Sequence, residues 1–177
     1  MASRAVGTLA RTMTAQTLED LAVRLGDRLR ARGWMLATAE SCTGGWISTV
    51  ITAVPGSSLW FERGFVTYSN ASKQELLAVS ASTLDTEGAV SEAVAREMAQ
   101  GALQHSRAQA AVAVTGIAGP DGGTPGKPVG TVCFAWAVLS GRIESATLHF
   151  DGNREGVRRQ SVAAALKGML RNLGDHA

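Results

Sequence analysis

The chain has 177 residues and a formal net charge of +2, with 45% hydrophobic and 18% charged residues. This length suits one domain, and this composition is typical of a compact globular protein rather than a disordered chain. The charge is too small for the basic footprint of a nucleic-acid-binding protein, and no apolar run approaches the roughly 18 residues of a membrane-spanning helix. We therefore expect no nucleic-acid partner and no membrane partner.

The basic residues are unevenly divided between arginine and lysine. Fourteen of the 17 are Arg and three are Lys, at Lys73, Lys127 and Lys167, and the chain has a single tyrosine, Tyr68. Lysine is a common solvated residue of protein surfaces, so its scarcity raises the question of why these three remain. Lys167, on the predicted last helix, is typical of ordinary surface.

The cysteines and histidines predict no disulfide framework and no metal site. Cys42 and Cys133 stand in neither a CxxC nor a Cys/His spacing, and the three histidines are scattered along the chain. We therefore expect no metal ion and no cofactor.

Residues 1–16 (MASRAVGTLARTMTAQ) differ in composition from the rest of the chain. They contain two arginines, several serines and threonines and no acidic residue, and they lack the apolar stretch of a secretory signal. The composition has some likeness to a transit peptide. A flexible N-terminal extension is the interpretation that we adopt.

The first predicted elements alternate between helices and strands. Thr17 and Asp20 form a near capping box at the start of a helix that Gly33 ends. The pattern then predicts a buried strand at 34–39, an apolar helix at about 45–54, a turn at 55–58, a strand at 65–68, and a helix running from a cap at Asn70 to about Ala78.

The second half of the chain predicts a mixed sheet. A loop containing Gly88 leads to Ser91, the cap of a helix that ends near His105. The continuous apolar run at 110–114 is typical of a parallel sheet. Later segments are a glycine-rich loop at 115–130, a strand hairpin at 131–139 and 143–150, and a helix at 154–173. Residues 17–177 are thus predicted to form one three-layer α/β/α domain.

The first loop that follows a predicted strand, residues 41–45 (SCTGG), is rich in small polar groups. In an open α/β sheet, ligands bind beyond the carboxyl ends of the strands. Ser41 or Cys42 would lie beside the positive end of a helix, where free backbone N–H groups bind an oxyanion or a phosphate. The alternative is a helix cap formed by Ser41 or Thr43, with the glycines needed for close packing.

Lys73 follows the second predicted strand and falls in the first turn of a helix. The helix dipole disfavours a cation there. If the side chain is also buried, both effects lower its pKa and leave a fraction neutral at pH 7, as a lysine general base requires. The alternative is that Lys73 extends into solvent.

The third loop, residues 115–130, holds six of the twenty glycines and three of the four prolines. It matches neither the P-loop nor the dinucleotide-binding glycine pattern. Ordering so many glycines is unfavourable in entropy, which favours a loop shaped around a ligand.

Two arginines begin the last predicted helix. Arg154 and Arg158 are four residues apart and share a face, so they can form a fork for a phosphate or a carboxylate. A solvated basic face is the alternative.

Taken together, these motifs resemble those of the CinA C-terminal-domain family. The matching segments are AESCTGG at 39–45, YSN at 68–70 with Lys73, GAVS at 88–91, TGIAGPDGG at 115–123, KPVGTV at 127–132, and Gly152-x-Arg-x-x-Val-Arg. The match runs from about Thr17 to Leu173. Asn153 stands where the family usually has Asp, and the large N-terminal domain of many relatives has no counterpart.

The resemblance implies a stand-alone amidohydrolase that converts nicotinamide mononucleotide to nicotinate mononucleotide and ammonia without a metal. It implies a Ser–Lys site in which Ser41 is the nucleophile and Lys73 its base, with Tyr68 beside them. The resemblance marks Arg154 and Arg158 as motif positions without fixing their roles, and we assign them to the phosphate as an expectation from their charge and spacing. The residues assigned to the oxyanion hole and the nucleotide pocket are Cys42, Thr43, Gly44, Gly45, Thr115, Gly116 and Gly119. No histidine lies in the three loops, and a Ser–Lys pair is a known variant of the serine catalytic triad.

Two alternatives remain open at this point. Cys42, next to Ser41, can also attack an amide, although only one of the two neighbouring side chains can face the substrate. The domain can also be a nucleotide-binding or phosphate-binding regulatory module without catalytic activity. From the unpaired cysteines, the missing signal and the resemblance, we expect a cytoplasmic homodimer.

Overall fold

Five strands form one sheet between two layers of helices. The structure is a computed structural model that describes residues 17–174, so the predicted N-terminal extension lies outside the described residues. The helices are α1 (Leu18–Arg32), α2 (Trp46–Thr52), α3 (Asn70–Leu77), α4 (Ala81–Glu87), α5 (Glu92–Gln104) and α6 (Arg154–Asn172). The strands are β1 (Leu36–Glu40), β2 (Phe61–Val66), β3 (Ala110–Gly116), β4 (Thr131–Val138) and β5 (Ile143–His149).

The sheet is mixed, as the late hairpin predicts. Its strand order is β2-β1-β3-β4-β5, with β1 parallel to β2 and β3, and with β4 antiparallel to both β3 and β5. The carboxyl ends of the three parallel strands therefore meet at one edge of the sheet. The loops that follow them, which carry Ser41, Tyr68 and the glycine-rich segment, emerge side by side.

The two faces of the sheet differ in side-chain size. Side chains alternate between the faces of a strand, and in β4 the large ones, such as Phe134 and Trp136, pack against α1, α2 and α6. The small ones, such as Ala135 and Ala137, face α3, α4 and α5. The alanine face lets α5 approach the sheet closely, and the central strands are buried because helices cover both of their faces. The three-layer prediction is confirmed.

Most predicted helix boundaries agree with the structure. Thr17 and Asp20 form a full capping box, Gly33 ends α1 in the left-handed conformation, and the Ser91 hydroxyl caps α5. The cap of α3 differs from the prediction, because Ser69 rather than Asn70 accepts the capping hydrogen bond. The Ser69 hydroxyl accepts from the N–H of Ser72, at 3.1 Å.

The sequence interpretation was wrong at two other places. Helix α4 lies where a loop was expected. The sequence did not predict this helix because its residues (ASTLDTE) bury only Leu84 and show no apolar stripe. Strand β2 begins at Phe61, four residues before the predicted start, and ends before Tyr68. It is an edge strand that pairs only with β1, so exposed Arg63 and Gly64 interrupt its apolar pattern.

Candidate active site

A cavity of about 190 Å³ opens at the carboxyl edge of the sheet. It is lined by side chains or backbone from all three predicted loops and from α6, among them Ser41, Tyr68, Lys73, Thr115 and Arg154. The sequence interpretation named all five of these residues. Gly116 and Cys42 also line the cavity, whereas Gly119 and Thr43 lie outside this lining.

Ser41 and Lys73 meet inside this cavity. The Ser41 N–H donates to the carbonyl oxygen of Val114, which ties the turn after β1 to the neighbouring β3. Lys73 Nζ lies 3.0 Å from Ser41 Oγ and 2.9 Å from the carbonyl oxygen of Thr67. These contacts bring together two side chains that stand 32 residues apart in the chain.

The Lys73 side chain is buried rather than solvated, with 1% of its surface exposed. Burial disfavours the ammonium form and holds the pKa of Lys73 below its ordinary value. A lysine with a lowered pKa has a larger neutral fraction, and the neutral amine can accept the proton of the Ser41 hydroxyl.

Cys42 lies beside this pair but is buried in the core. Its side chain packs into the core beneath α1, α2 and α6, and its sulfur lies close to Gly116. Burial raises the pKa of the Cys42 thiol to about 12. The reactive form of cysteine is the thiolate, so a thiol in this environment is a poor nucleophile at neutral pH.

Glu40 is a buried residue that sequence reasoning gave no role. Its carboxylate accepts five hydrogen bonds: from the Thr43 hydroxyl at 2.7 Å, from the N–H groups of Gly45 and Ile47, and from the N–H and hydroxyl of Ser48. A carboxylate beside the positive end of α2 is favourable. The signal in the sequence that could have indicated this role is the position of Glu40, an acidic residue just before a predicted helix start.

Two N–H groups of the turn between β1 and α2 are occupied by acceptors within the protein. The Gly45 N–H donates to Glu40, and the Gly44 N–H donates to the Ser41 carbonyl oxygen at 3.0 Å. Within residues 17–174, the N–H groups of Cys42 and Thr43 donate to no other residue, although the Cys42 N–H interacts with the thiol of the same residue. Of the four N–H groups at residues 42–45, those of Gly44 and Gly45 are therefore already occupied.

Tyr68 and Arg154 span the mouth of the cavity. Tyr68 is 63% exposed, and its hydroxyl accepts a hydrogen bond from Arg154 Nη2 at 3.0 Å. Arg154 Nη1 donates to the carbonyl oxygen of Gly119 at 2.8 Å. The arginine thus links the start of α6 to the glycine-rich loop and to Tyr68, and the tyrosine hydroxyl is paired with Arg154 rather than with Ser41 or Lys73.

Arg158 lies on a second, more open groove beside the first cavity. Its guanidinium donates to the carbonyl oxygens of Cys42 and Thr43 and stacks over the ring of Trp46, 5.2 Å from the ring centre. This groove, of about 580 Å³, shares Arg154 with the inner cavity. The two arginines therefore lie on one continuous surface, although each already donates to backbone carbonyl oxygens.

The far wall of the cavity is formed by Ala89 and Val90, between α4 and α5. The Thr115 hydroxyl donates to the carbonyl oxygen of Ala89 at 2.8 Å. Lys127 Nζ donates to the carbonyl oxygen of Glu87, the last residue of α4, at 2.7 Å. Lys127, which the sequence left without a role, attaches the glycine-rich loop to this wall.

Asn153 is the cap of α6. Its side-chain oxygen accepts a hydrogen bond from the N–H of Gly156 at 2.9 Å. Asparagine and aspartate cap helices about equally well, so the departure from the family pattern preserves this contact.

Two further findings concern residues 17–174. These residues contain no group of three or more His, Cys, Asp or Glu side chains arranged to hold a metal ion. None of their helices is both long enough and apolar enough to cross a membrane.

A protein-family model matches almost the whole described chain, including the buried serine and lysine at the carboxyl edge of the sheet. The sequence model of the CinA C-terminal domain matches residues 18–173, and the chain belongs to that family. The resemblance seen in the sequence motifs is thereby confirmed.

Relatives within this family have names that specify a reaction. Nicotinamide-nucleotide amidohydrolase PncC from Enterobacter agglomerans is 54% identical over 159 residues, which is 90% of this chain and 97% of the relative. PncC from Escherichia coli strain K12 is also 54% identical, over 88% of this chain and 94% of that protein. A solved structure, competence/damage inducible protein CihA from Agrobacterium tumefaciens, has a TM-score of 0.85 and 46% identity, covering 89% of this chain and 95% of that chain.

Proposed function

We propose that this protein is a nicotinamide-nucleotide amidohydrolase that hydrolyses the carboxamide of nicotinamide mononucleotide to a carboxylate and ammonia. The observation that carries the proposal is the buried Lys73 amine 3.0 Å from the Ser41 hydroxyl oxygen. Relatives named for this reaction, 54% identical over nearly their whole length, support the substrate.

The reaction begins with attack of Ser41 Oγ on the carboxamide carbon. The Ser41 proton moves to the neutral Lys73 amine as the new C–O bond forms, which gives a tetrahedral oxyanion and an ammonium. The N–H groups of Cys42 and Thr43, which donate to no other described residue, are the donors available to the oxyanion.

Collapse of the tetrahedral intermediate releases ammonia. Lys73 returns its proton to the leaving nitrogen, the C–N bond breaks, and the nicotinoyl group remains as an ester on Ser41. A water molecule then attacks the ester carbon and gives one proton to Lys73. When the C–O bond to Ser41 breaks, Lys73 passes that proton to Ser41 Oγ, and nicotinate mononucleotide leaves.

The remaining site residues position the nucleotide. With the carboxamide at Ser41, the ribose phosphate extends past Arg154 into the outer groove, where Arg154 and Arg158 supply positive charge. Tyr68 at the mouth and Thr115 and Gly116 in the inner wall confine the pyridine ring. The homodimer and the cytoplasmic location stay predictions.

Ammonia release from nicotinamide mononucleotide tests the proposal, with nicotinamide riboside and free nicotinamide as comparators. We expect turnover of the mononucleotide, much weaker turnover of the two compounds without phosphate, and no loss of activity in EDTA. Measurable binding of the mononucleotide without ammonia release would favour the binding module instead.

A further inference from the structure

One buried hydroxyl beside the Ser41–Lys73 pair has no partner. Thr67 has none of its surface exposed, and its Oγ1 is the one buried side-chain nitrogen or oxygen within residues 17–174 that makes no hydrogen bond. Burying a hydroxyl without a partner costs about 1–3 kcal/mol, so such groups are rare. An unpaired hydroxyl at this position therefore calls for a functional explanation.

The backbone of Thr67 is fixed between the two halves of the site. Its N–H donates to the carbonyl oxygen of Glu40, the residue before Ser41, at 2.8 Å. Its carbonyl oxygen accepts from Lys73 Nζ at 2.9 Å. Covalent geometry keeps Oγ1 within about 5 Å of the carbonyl oxygen of the same residue. The unpaired hydroxyl thus belongs to the residue whose backbone holds the lysine amine, although Oγ1 itself makes no hydrogen bond with Nζ in the described structure.

The direction of the side chain agrees with this placement. Along β2 and its extension, Phe65 packs against the core on the α3 and α5 side, while Val66 is exposed. Alternation then returns the next side chain, Thr67, to the α3 side of the sheet. Lys73 projects into that same layer from α3.

In its protonated form, Lys73 has one N–H group without a hydrogen-bond acceptor among the described residues. The neutral amine has two N–H groups and a lone pair that accepts the Ser41 hydroxyl, whereas the ammonium has three N–H groups. The described structure provides two acceptors, Ser41 Oγ and the Thr67 carbonyl oxygen. The protonated state therefore has one N–H more than the resting contacts satisfy.

We propose that Thr67 is a positioning residue whose Oγ1 accepts the third N–H of Lys73 when Lys73 becomes protonated, after a rotation of the Thr67 side chain or a small shift of the amine brings the two atoms into contact. This inference rests on the proposed function, because it assigns the proton of Ser41 to Lys73. The Ser41 O–H bond breaks, the lysine lone pair forms the new N–H bond, and Thr67 Oγ1 pairs with one N–H of the ammonium. The pairing ends when Lys73 gives a proton to the leaving nitrogen.

The test compares Thr67→Val, which removes the hydroxyl and keeps the shape, with Thr67→Ser, which keeps the hydroxyl. Because the chain has only three lysines, selective ¹⁵N labelling of lysine gives three Nζ signals. The signal that is missing from Lys73→Met is the signal of Lys73. We expect Thr67→Val to lower the pKa of Lys73 by about one unit, since it removes one hydrogen bond to a charged group. Thr67→Ser should leave this pKa unchanged.

Activity and stability give two more readouts. In Thr67→Val, kcat/KM for nicotinamide mononucleotide should fall about tenfold, and its acidic limb should move to lower pH with the pKa of Lys73. The melting temperature should stay the same or rise, because no resting hydrogen bond is lost. Thr67→Ser should restore kcat/KM.

Each contrary result overturns the inference. An unchanged pKa of Lys73 in Thr67→Val would show that the hydroxyl does not contact the ammonium. A lowered melting temperature would show that Oγ1 has a structural partner. If wild-type protein releases no ammonia, the proposed function fails, and the titration of Lys73 still decides the role of Thr67.

Discussion

The Glu40 carboxylate accepts both the backbone N–H and the hydroxyl of Ser48, at 2.9 and 2.8 Å, and so joins the end of β1 to the first turn of α2. Three more donors, from Thr43, Gly45 and Ile47, converge on the same carboxylate. The turn that carries Ser41 lies between these anchor points. Its conformation therefore depends on a charged acceptor that does not line the cavity.

Glu40→Gln tests this dependence. The amide keeps the shape but places an NH₂ group against N–H donors, so we expect a loss of about 2–3 kcal/mol in the free energy of unfolding. We also expect a fall in kcat, because the N–H groups of Cys42 and Thr43 shift. Urea unfolding and ammonia release measure the two effects. Ser48→Ala, which removes one donor hydroxyl, is the milder control, and equal stability of Glu40→Gln and wild type would contradict the argument.

Lys73→Met should abolish turnover with the fold intact, and Lys73→Arg should do the same because arginine does not release its proton at working pH. For the wild type, kcat/KM should rise with pH as Lys73 loses its proton, through a pKa below the ordinary 10.5. Near-normal kcat of Lys73→Met at neutral pH would exclude Lys73 as the base. Circular dichroism of both variants checks the fold.

The difference in stability between the wild type and Lys73→Met should depend on pH in a defined direction. Lys73 has a lowered pKa in the folded state, so between that pKa and 10.5 the unfolded chain binds more protons. The wild type should therefore gain stability relative to Lys73→Met as pH rises through this window. Paired urea unfolding curves measure the difference, and a gap that is constant with pH would show that Lys73 titrates alike in both states.

The two candidate nucleophiles can be separated by a pair of substitutions. Ser41→Ala should remove activity, while Cys42→Ala should retain kcat within a few-fold, because the thiol is buried and its pKa is about 12. Cys42→Ala should lose about 1–2 kcal/mol of stability from the cavity it leaves in the core. An active Ser41→Ala enzyme would overturn the Ser–Lys scheme.

Local signals in the sequence predicted much of the fold. The capping box of Thr17 and Asp20, the left-handed Gly33 and the continuous apolar run of β3 depend on neighbours within a few residues, and the structure confirms them. Helix α4 has no such signal, because it buries a single leucine. The convergence of the three loops also followed from the sequence, since parallel strands end at one edge.

The burial and the hydrogen-bond partners of the site residues could not be predicted in the same way. The sequence left Lys73 either solvated or buried, because its burial depends on how α3 packs against α5, far along the chain. The partners of Glu40 and the unpaired Thr67 hydroxyl likewise appear only once tertiary contacts form. Residue type indicated which groups were capable of chemistry, and packing determined which of them met.

Lys127→Met tests the attachment of the glycine-rich loop to α4. Removing the ammonium breaks its hydrogen bond to the Glu87 carbonyl oxygen, so the wall at Ala89 and Val90 loses one support. We expect KM for nicotinamide mononucleotide to rise several-fold with little change in kcat, and stability to fall by about 1 kcal/mol. Lys167→Met, at an exposed position of α6, is the matched control and should behave as wild type.

Gly101→Ala tests how the packing of α3 on α5 supports the site. A Cβ at Gly101 would overlap the carbonyl oxygen of Leu77, at the end of the helix that carries Lys73. Because a backbone carbonyl cannot rotate away, α3 must shift, and we expect a loss of about 2–3 kcal/mol in the free energy of unfolding. The shift should also lengthen the contact between Lys73 and Ser41 and lower kcat. Gly126→Ala, where a Cβ meets no atom within 4 Å, should change neither quantity, and a Gly101→Ala enzyme with wild-type kcat would show that the Ser41–Lys73 contact tolerates movement of α3.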